Sequence, residues 1–353
     1  MTTLRDLTFW PPASAYRPPI ALIGCGGIAK HHLEAYRAQD LQVVALCDVH
    51  RERAEKLAAE FFPEASIFTD YRDLLSQSDV EVVDVATHPE ARVGLIEACL
   101  NARRHVLSQK PFVLDLAVGH RLCDLADRRG VQLTVNQNGR FAPHFGYLRA
   151  AIDAGFLGRT HAAHMAVHWD HTWVEGTPFE DIKHLILYDF AIHWFDIVRC
   201  FLPEATAERV MATVSRVPGQ TLMPPLAATV ALQFDQAQAT LVFDAWTRYG
   251  QQDRTVVIGD AATAVSSGPD LQRQTVEITD AAGTYRPELN GQWFSDGFAG
   301  TMLELLSAIE QGRTAAIDAR DNLESLALCF AAIHSAETGQ PQRPGSIQRL
   351  PTA

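Results

Sequence analysis

From residue 20 to about 138, short apolar runs alternate with amphipathic stretches, and each run fits a strand buried on both faces. The pattern predicts strands at 20–23, 42–47, 66–68, 80–86, 105–108 and 131–135. Between them it predicts helices at 27–38, 51–60, 71–76, 89–102 and 115–129. Strand and helix in strict alternation predict an α/β fold with a doubly wound parallel sheet. After about residue 140 the texture changes. A helix is expected at 144–153, a strand at 160–173 and a longer helix at 184–202. Strands follow at 208–216, 227–235, 238–247, 254–259 and 274–278 with no helices between them, which predicts an open, mostly antiparallel sheet. Helical periodicity returns at 298–311 and 320–337. The expected organisation is an extension over 1–18, a Rossmann domain over 19–138, and an α+β domain over 139–353. The late helices of that second domain are expected to pack back toward the first.

The first strand runs directly into Gly24, Gly26 and Ala29 of IGCGGIA, the G-x-G-x-x-A spacing of a dinucleotide cradle. Gly24 allows the tight turn, Gly26 allows close backbone approach to a pyrophosphate, and Ala29 lets the helix pack on the strand. Gly27 and Ile28 complete the loop, and the helix N-terminus supplies N–H groups for the phosphates. Asp48 ends the next strand, 24 residues after Gly24. A carboxylate there accepts from ribose hydroxyls and repels a 2′-phosphate, which favours NAD over NADP. Its other reading is a cap for helix 51–60. Ligands of such a sheet lie beyond the carboxyl ends of the strands, where Thr87, Gln109, Lys110 and Asn136 to Asn138 stand.

Two further elements carry candidate chemistry. Lys110, after the fifth strand, would favour developing negative charge on a substrate oxygen; alone it also reads as a surface lysine before a loop proline. Asp189 and His193 have i, i+4 spacing, so on a helix they share one face and fit an oriented general base, or equally a cap or core pair. His184 and Asp196 lie on nearby turns, but no compact ligand motif accompanies them and no metal is expected. Arg140, His168, Trp169 and Trp246 are candidate substrate contacts, with core packing as the competing account of each.

Composition narrows the classes. The chain has 353 residues, enough for two domains, and is 47% hydrophobic. A net charge of −12 argues against nucleic acid as partner. No apolar run is long enough to span a membrane, and no charged-then-apolar leader is seen, so neither membrane nor secretion is expected. The six cysteines are scattered without a C-x-x-C pair, as reduced cytoplasmic thiols would be.

IGCGGIA (23–29), Asp48, HVLSQKP (105–111), NQNGRFAP (136–143), DFAIHWFD (189–196) and DNLESLALCFAAIHSAETG (321–339) occur in an order that closely resembles the Gfo/Idh/MocA family, the glucose–fructose oxidoreductases, inositol dehydrogenases and relatives. The resemblance runs from Ile20 to about Gly339. It implies a catalytic set of Lys110, Asp189 and His193, and a second domain whose sheet makes a homodimer or homotetramer. It also implies an NAD-dependent dehydrogenase of a sugar, cyclitol or other polyhydroxylated compound. Two alternatives from other classes stay open: a catalytically silent dinucleotide sensor, and a lyase or hydrolase that uses NAD transiently. Two positions depart from the family pattern. Gln109 replaces the usual Glu before Lys-Pro, and Arg92 of THPEAR stands near an expected His.

Overall fold

Six short strands, apolar and largely buried except at the edge strand β3, form a parallel sheet in the order β3-β2-β1-β4-β5-β6. They are β1 (Ile20–Ile23), β2 (Val43–Cys47), β3 (Ser66–Phe68), β4 (Val82–Val85), β5 (His105–Ser108) and β6 (Leu133–Val135). The connecting helices are α1 (Ala29–Ala38), α2 (Arg51–Phe61), α3 (Tyr71–Gln77), α4 (Pro89–Asn101) and α5 (Leu116–Arg129). Asp115 caps α5 through Ala117 N–H, and Gly130 in the left-handed region ends it. The strand order reverses between β1 and β4, the switch point where such sheets hold ligands. This computed structural model describes residues 3–77 and 79–350.

The second sheet has eight strands in the order β14-β13-β12-β11-β7-β10-β9-β8. They are β7 (Thr160–His168), β8 (Ala207–Ser215), β9 (Ala227–Phe234), β10 (Gln238–Asp244), β11 (Gln252–Gly259), β12 (Ala262–Gly268), β13 (Thr275–Asp280) and β14 (Gly283–Tyr285). All its pairs are antiparallel except β7 with β10, so the sheet is mixed. Buried residues alternate with exposed or half-buried ones along β10 and β11, giving one covered and one open face. With it go α6 (Pro143–Asp153) and α7 (Ile192–Phe201).

Several elements differ from the pattern reading. The expected strand 160–173 stops at His168, and a 3₁₀ turn follows at Thr172–Val174. The expected helix 184–202 begins as a π turn, Ile186–Phe190, before α7. Strands β12 and β14 lie outside the expected set. In β12 the buried positions are Ala262, Ala264 and Ser266, too small to give an apolar signal.

The chain divides into two compact units: residues 10–141 with 294–323, and residues 1–9 with 142–293 and 324–353. Helix α8 (Asp296–Gln311) belongs to the first unit, where Phe298, Met302 and Leu305 join a core with Leu33 and Tyr36 of α1. The last helix, α9 (Ala319–Thr338), starts in the first unit and continues into the second. In the second unit the leading segment packs on α6: Tyr147 donates to the Leu4 carbonyl, and Phe9 fills the space a side chain at Gly146 would take.

Gly300 on α8 faces Phe141, whose Cβ and Cγ a side chain there would overlap. Gly300→Ala is expected to destabilise the first unit by about 1–3 kcal/mol, read from the urea midpoint. An unchanged midpoint would show that Phe141 yields freely.

Candidate active site

The first unit gathers its candidate residues at the carboxyl ends of β1, β2, β4, β5 and β6. Gly24 has φ +100°, and a Cβ there would lie 2.8 Å from Thr87 Cγ2 and 3.0 Å from the Ala86 carbonyl carbon. Only glycine allows β1 to turn beside the end of β4. At Gly26 and Gly27 a Cβ would meet nothing within 4 Å, so the loop is open on the side that leads into α1. Helix α1 has no side-chain cap and no acid in its first turn, which leaves the positive end of its dipole uncompensated. This cradle fits a pyrophosphate.

Asp48 is 9% exposed and ties two backbones together. Its Oδ2 accepts from Cys25 N–H at 2.7 Å and its Oδ1 from His50 N–H at 2.8 Å. These bonds fix the carboxylate beside the glycine loop and leave lone pairs on both oxygens for ribose hydroxyls. His50, not Asp48, is the residue that precedes α2 at the cap position. Arg51 is held along α2 by Glu55 at 2.9 Å.

Beneath Lys110 lies a polar network that sequence reading did not find. Asp84, fully buried in β4, accepts from Tyr36 Oη at 2.5 Å and lies 2.6 Å from His32 Nδ1. Gln109 Oε1 accepts the Lys110 N–H at 2.7 Å, so its amide N–H faces His32 Nε2 at 3.1 Å. These bonds assign the tautomer: His32 accepts at Nε2 and donates from Nδ1 to Asp84. A carboxylate inside a buried strand was the available signal, since it demands a partner. Arg92, 1% exposed, donates to the carbonyls of Thr87 and Pro111 and so links the loops after β4 and β5. Asn138 is buried in the turn after β6, and neighbouring Asn136 accepts from Thr301 at 3.0 Å. Arg140 pairs with Asp321 at 2.8 Å and donates to the Ala316 carbonyl, which gives it a structural task within this unit.

In the second unit, Asp189 lies in the π turn and His193 in the first turn of α7, each 8% exposed. A π turn widens the helix locally and re-aims the side chains at its end. The His193 ring stands edge-on to Trp293, with centroids 5.5 Å apart. Trp293 also contacts Trp194 at 5.8 Å, and Trp194 contacts Trp169 at 5.6 Å. His168 and Trp169 point to opposite faces of the sheet. Trp169 lines a small cavity on the covered face with Val167, His171, Phe190 and Trp194. His168 lies on the open face and bonds Asp244 at 2.8 Å, so these two expected substrate contacts do not share a pocket. Trp246 stacks under Arg248 at 4.3 Å. Burial pushes His171 down to about 4, which keeps it neutral. Asp196 accepts from Ser325 at 2.9 Å, and His184 bonds Glu337 at 2.9 Å. Among the described residues, no group of three or more His, Cys, Asp or Glu is placed to hold a metal ion. Nor is any described helix long and apolar enough to cross a membrane.

A glycine cradle at the switch point of a parallel sheet, with an acid pinned at the next strand end, defines a protein that binds a nicotinamide dinucleotide. Comparison with known proteins agrees. Residues 19–137 match the oxidoreductase family with an NAD-binding Rossmann fold, and residues 145–265 match the GFO/IDH/MocA C-terminal domain. The chain belongs to the GFO/IDH/MocA family and is an oxidoreductase acting on CH–OH groups. It is 27% identical to D-apiose dehydrogenase of Paraburkholderia graminis, over 93% of this chain and 90% of that one. It is 29% identical to a myo-inositol dehydrogenase of Streptomyces leeuwenhoekii, over 91% and 98%. The fold is shared with an Agrobacterium radiobacter oxidoreductase solved with NAD+, L-tartaric acid and magnesium (TM-score 0.84, 21% identity, 94% of this chain and 99% of that one).

Arg92→Leu leaves two loop carbonyls without their donor and is expected to cost about 2–3 kcal/mol of stability. Chemical denaturation checks this, and a loss under 0.5 kcal/mol would mean that Arg92 does not hold the two loops.

Proposed function

We propose that this protein is an NAD-dependent dehydrogenase that oxidises one hydroxyl of a sugar, cyclitol or related polyhydroxylated compound. The observation that carries this reading is Asp48, fixed by two backbone N–H groups beside an open glycine loop. That carboxylate suits a ribose diol and opposes a 2′-phosphate, while Arg51 is turned along α2 toward Glu55. Gly24, Gly26, Gly27, Ile28, Thr87, Gln109 and Asn138 complete the cofactor contacts in this reading. When bound, the nicotinamide ring supplies the acceptor for hydride from the carbinol carbon.

The chain's own residues handle the proton and the charge. His193 takes the hydroxyl proton, and Asp189 orients its ring and stabilises the imidazolium that results. Lys110 donates to the same oxygen and favours the negative charge that develops as the proton leaves. Gln109 and Arg92 hold the Lys110 loop through Lys110 N–H and the Pro111 carbonyl. In the reverse direction His193 is the acid. The half-buried Ala166, Val242, Val256 and Val265 on the open sheet face support assembly of identical copies through that surface.

Wild type is expected to bind NAD more tightly than NADP, and Asp48→Ala to narrow that preference by about tenfold. Tighter NADP binding by the wild type in fluorescence titration removes the ribose assignment. Lys110→Ala and His193→Asn are each expected to lower kcat by about 10²–10⁴-fold with the melting temperature kept. His193→Asn also removes the acid limb of the pH–rate profile for oxidation, because a protonated imidazole cannot accept the hydroxyl proton. Near-wild-type turnover by a folded His193→Asn protein overturns the mechanism.

A further inference from the structure

The stretch after β5 that carries Lys110 is held by a side-chain amide whose orientation is decided inside the first unit. A backbone N–H can only donate, so the Gln109 atom 2.7 Å from Lys110 N is its carbonyl oxygen. The Gln109 amide nitrogen is then the atom that faces His32 Nε2, at 3.1 Å. Asn136, after β6, turns its amide nitrogen to the same ring atom at 3.4 Å, while its oxygen accepts from Thr301 of α8. Two N–H donors converge on Nε2, which makes it a seat for a lone pair and not for a proton.

The other groups packed around this ring agree. His32 is fully buried. Asp84 of β4 accepts from Nδ1 at 2.6 Å, and Tyr36 of the same helix as His32 directs its hydroxyl to Asp84 as well. Burial, with Asp84 beside it, holds the Tyr36 phenol protonated well above its ordinary range, so it stays a donor. His31, next along the helix, is pushed down from the usual histidine range by burial. Phe298 of α8 covers the His32 ring at 4.6 Å and brings no charge.

A second proton on His32 changes which groups fit. Nε2 would then donate, and it would meet two N–H groups where it needs an acceptor. Asn136 can turn its amide over, because the Thr301 hydroxyl has the Phe298 carbonyl as a second acceptor at 2.9 Å. That still leaves the nearer Gln109 N–H pressed against Nε2–H. Gln109 relieves the conflict only by turning as well, and its carbonyl then leaves Lys110. The two ends of one amide face opposite partners, so serving an Nε2–H and serving the Lys110 N–H exclude each other.

We propose that His32 is a positioning residue for the reaction: its neutral ring, protonated at Nδ1, fixes the Gln109 amide in the orientation that holds the Lys110 backbone, and a second proton on the ring releases that hold. The catalytic role of Lys110 rests on the dehydrogenase reading, whereas the link between His32 and the Lys110 N–H does not.

The test uses the full-length protein labelled with ¹⁵N at histidine and lysine. The His32 ring nitrogens, assigned by their loss in His32→Gln, are followed by NMR as the pH is lowered. The Lys110 backbone amide, assigned by its loss in Lys110→Arg, is followed in the same titration. At neutral pH the wild-type ring is expected to carry its proton on Nδ1 alone. As Nε2 gains a proton, the Lys110 amide signal is expected to move in step. A ring that refuses the second proton until the fold is lost supports the exclusion equally. An imidazolium with the Lys110 amide unmoved, or a neutral ring protonated at Nε2, overturns the proposal.

Turnover is read as NADH at 340 nm with myo-inositol, D-apiose and levoglucosan. His32→Leu, which fills the space without an acceptor, is expected to lower kcat about 10–100-fold with NAD affinity kept within about threefold. His32→Gln, which restores an acceptor and cannot ionise, is expected to recover kcat to within about threefold of wild type. Equal loss of kcat in the two folded variants overturns the proposal, as does a folded His32→Leu protein with kcat within twofold of wild type. Should His32→Leu not fold, the coupled titration of the wild type decides. Coupled signals with no NADH from any polyol tested leave the link standing and count against the dehydrogenase reading. NADH formation with uncoupled signals does the reverse.

Discussion

The carboxylate of Asp84 sits where the first sheet leaves no room for water. Strand β4 is buried along its whole length, so a charge placed in it must be answered by neighbouring side chains. Tyr36 and His32, four residues apart on α1, answer it at one oxygen, Oδ2. The bond at Asp84 Oδ2 fixes which nitrogen of His32 carries the proton, and that in turn fixes which way Gln109 points. Gln109 then holds the backbone N–H of Lys110. A local requirement in the core is thereby passed, bond by bond, to the residue proposed to meet the substrate oxygen. Arg92 secures the same loop through the Pro111 carbonyl.

The second unit meets a different constraint. A sheet with one open face has to send alternate side chains in opposite directions, so adjacent residues do different jobs. His168 and Trp169 show it: one joins Asp244 on the open face, the other joins the aromatic wall around Trp194. The covered face buries the polar Asp253 and Thr255 among its apolar residues. The open face carries half-buried Ala166, Val242, Val256 and Val265 beside polar residues such as His164 and Thr240. A second copy is proposed on the open face.

Much of this was legible in the sequence. The β1 and β2 runs, the glycine spacing and Asp48 gave the cradle, because each depends on local conformation and on a strand's apolar character. Less legible were features set by partners distant in sequence. Gln109 could be seen to replace a glutamate, but its bond to His32 joins residues 77 apart. Strand β12 gives no apolar signal because its buried positions, Ala262, Ala264 and Ser266, are small. The π turn was hidden inside an apolar run that fits an ordinary helix equally well. Asp253 stood in plain view in QDRTVVIG, yet only the register with Val167 showed which way it faces.

Helix α8 lies far along the chain but fills the core of the first unit. The order of synthesis therefore runs against the order of assembly. As the chain leaves the ribosome, all six parallel strands and their helices exist before Phe298, Met302 and Leu305 do. Until then the apolar flank of α1 around Leu33 and Tyr36 has no permanent cover, and the whole second sheet is made in the interval. Domains that are contiguous in sequence fold as they emerge. This one has to wait for its last piece, so its nascent form is the stage most in need of protection from aggregation.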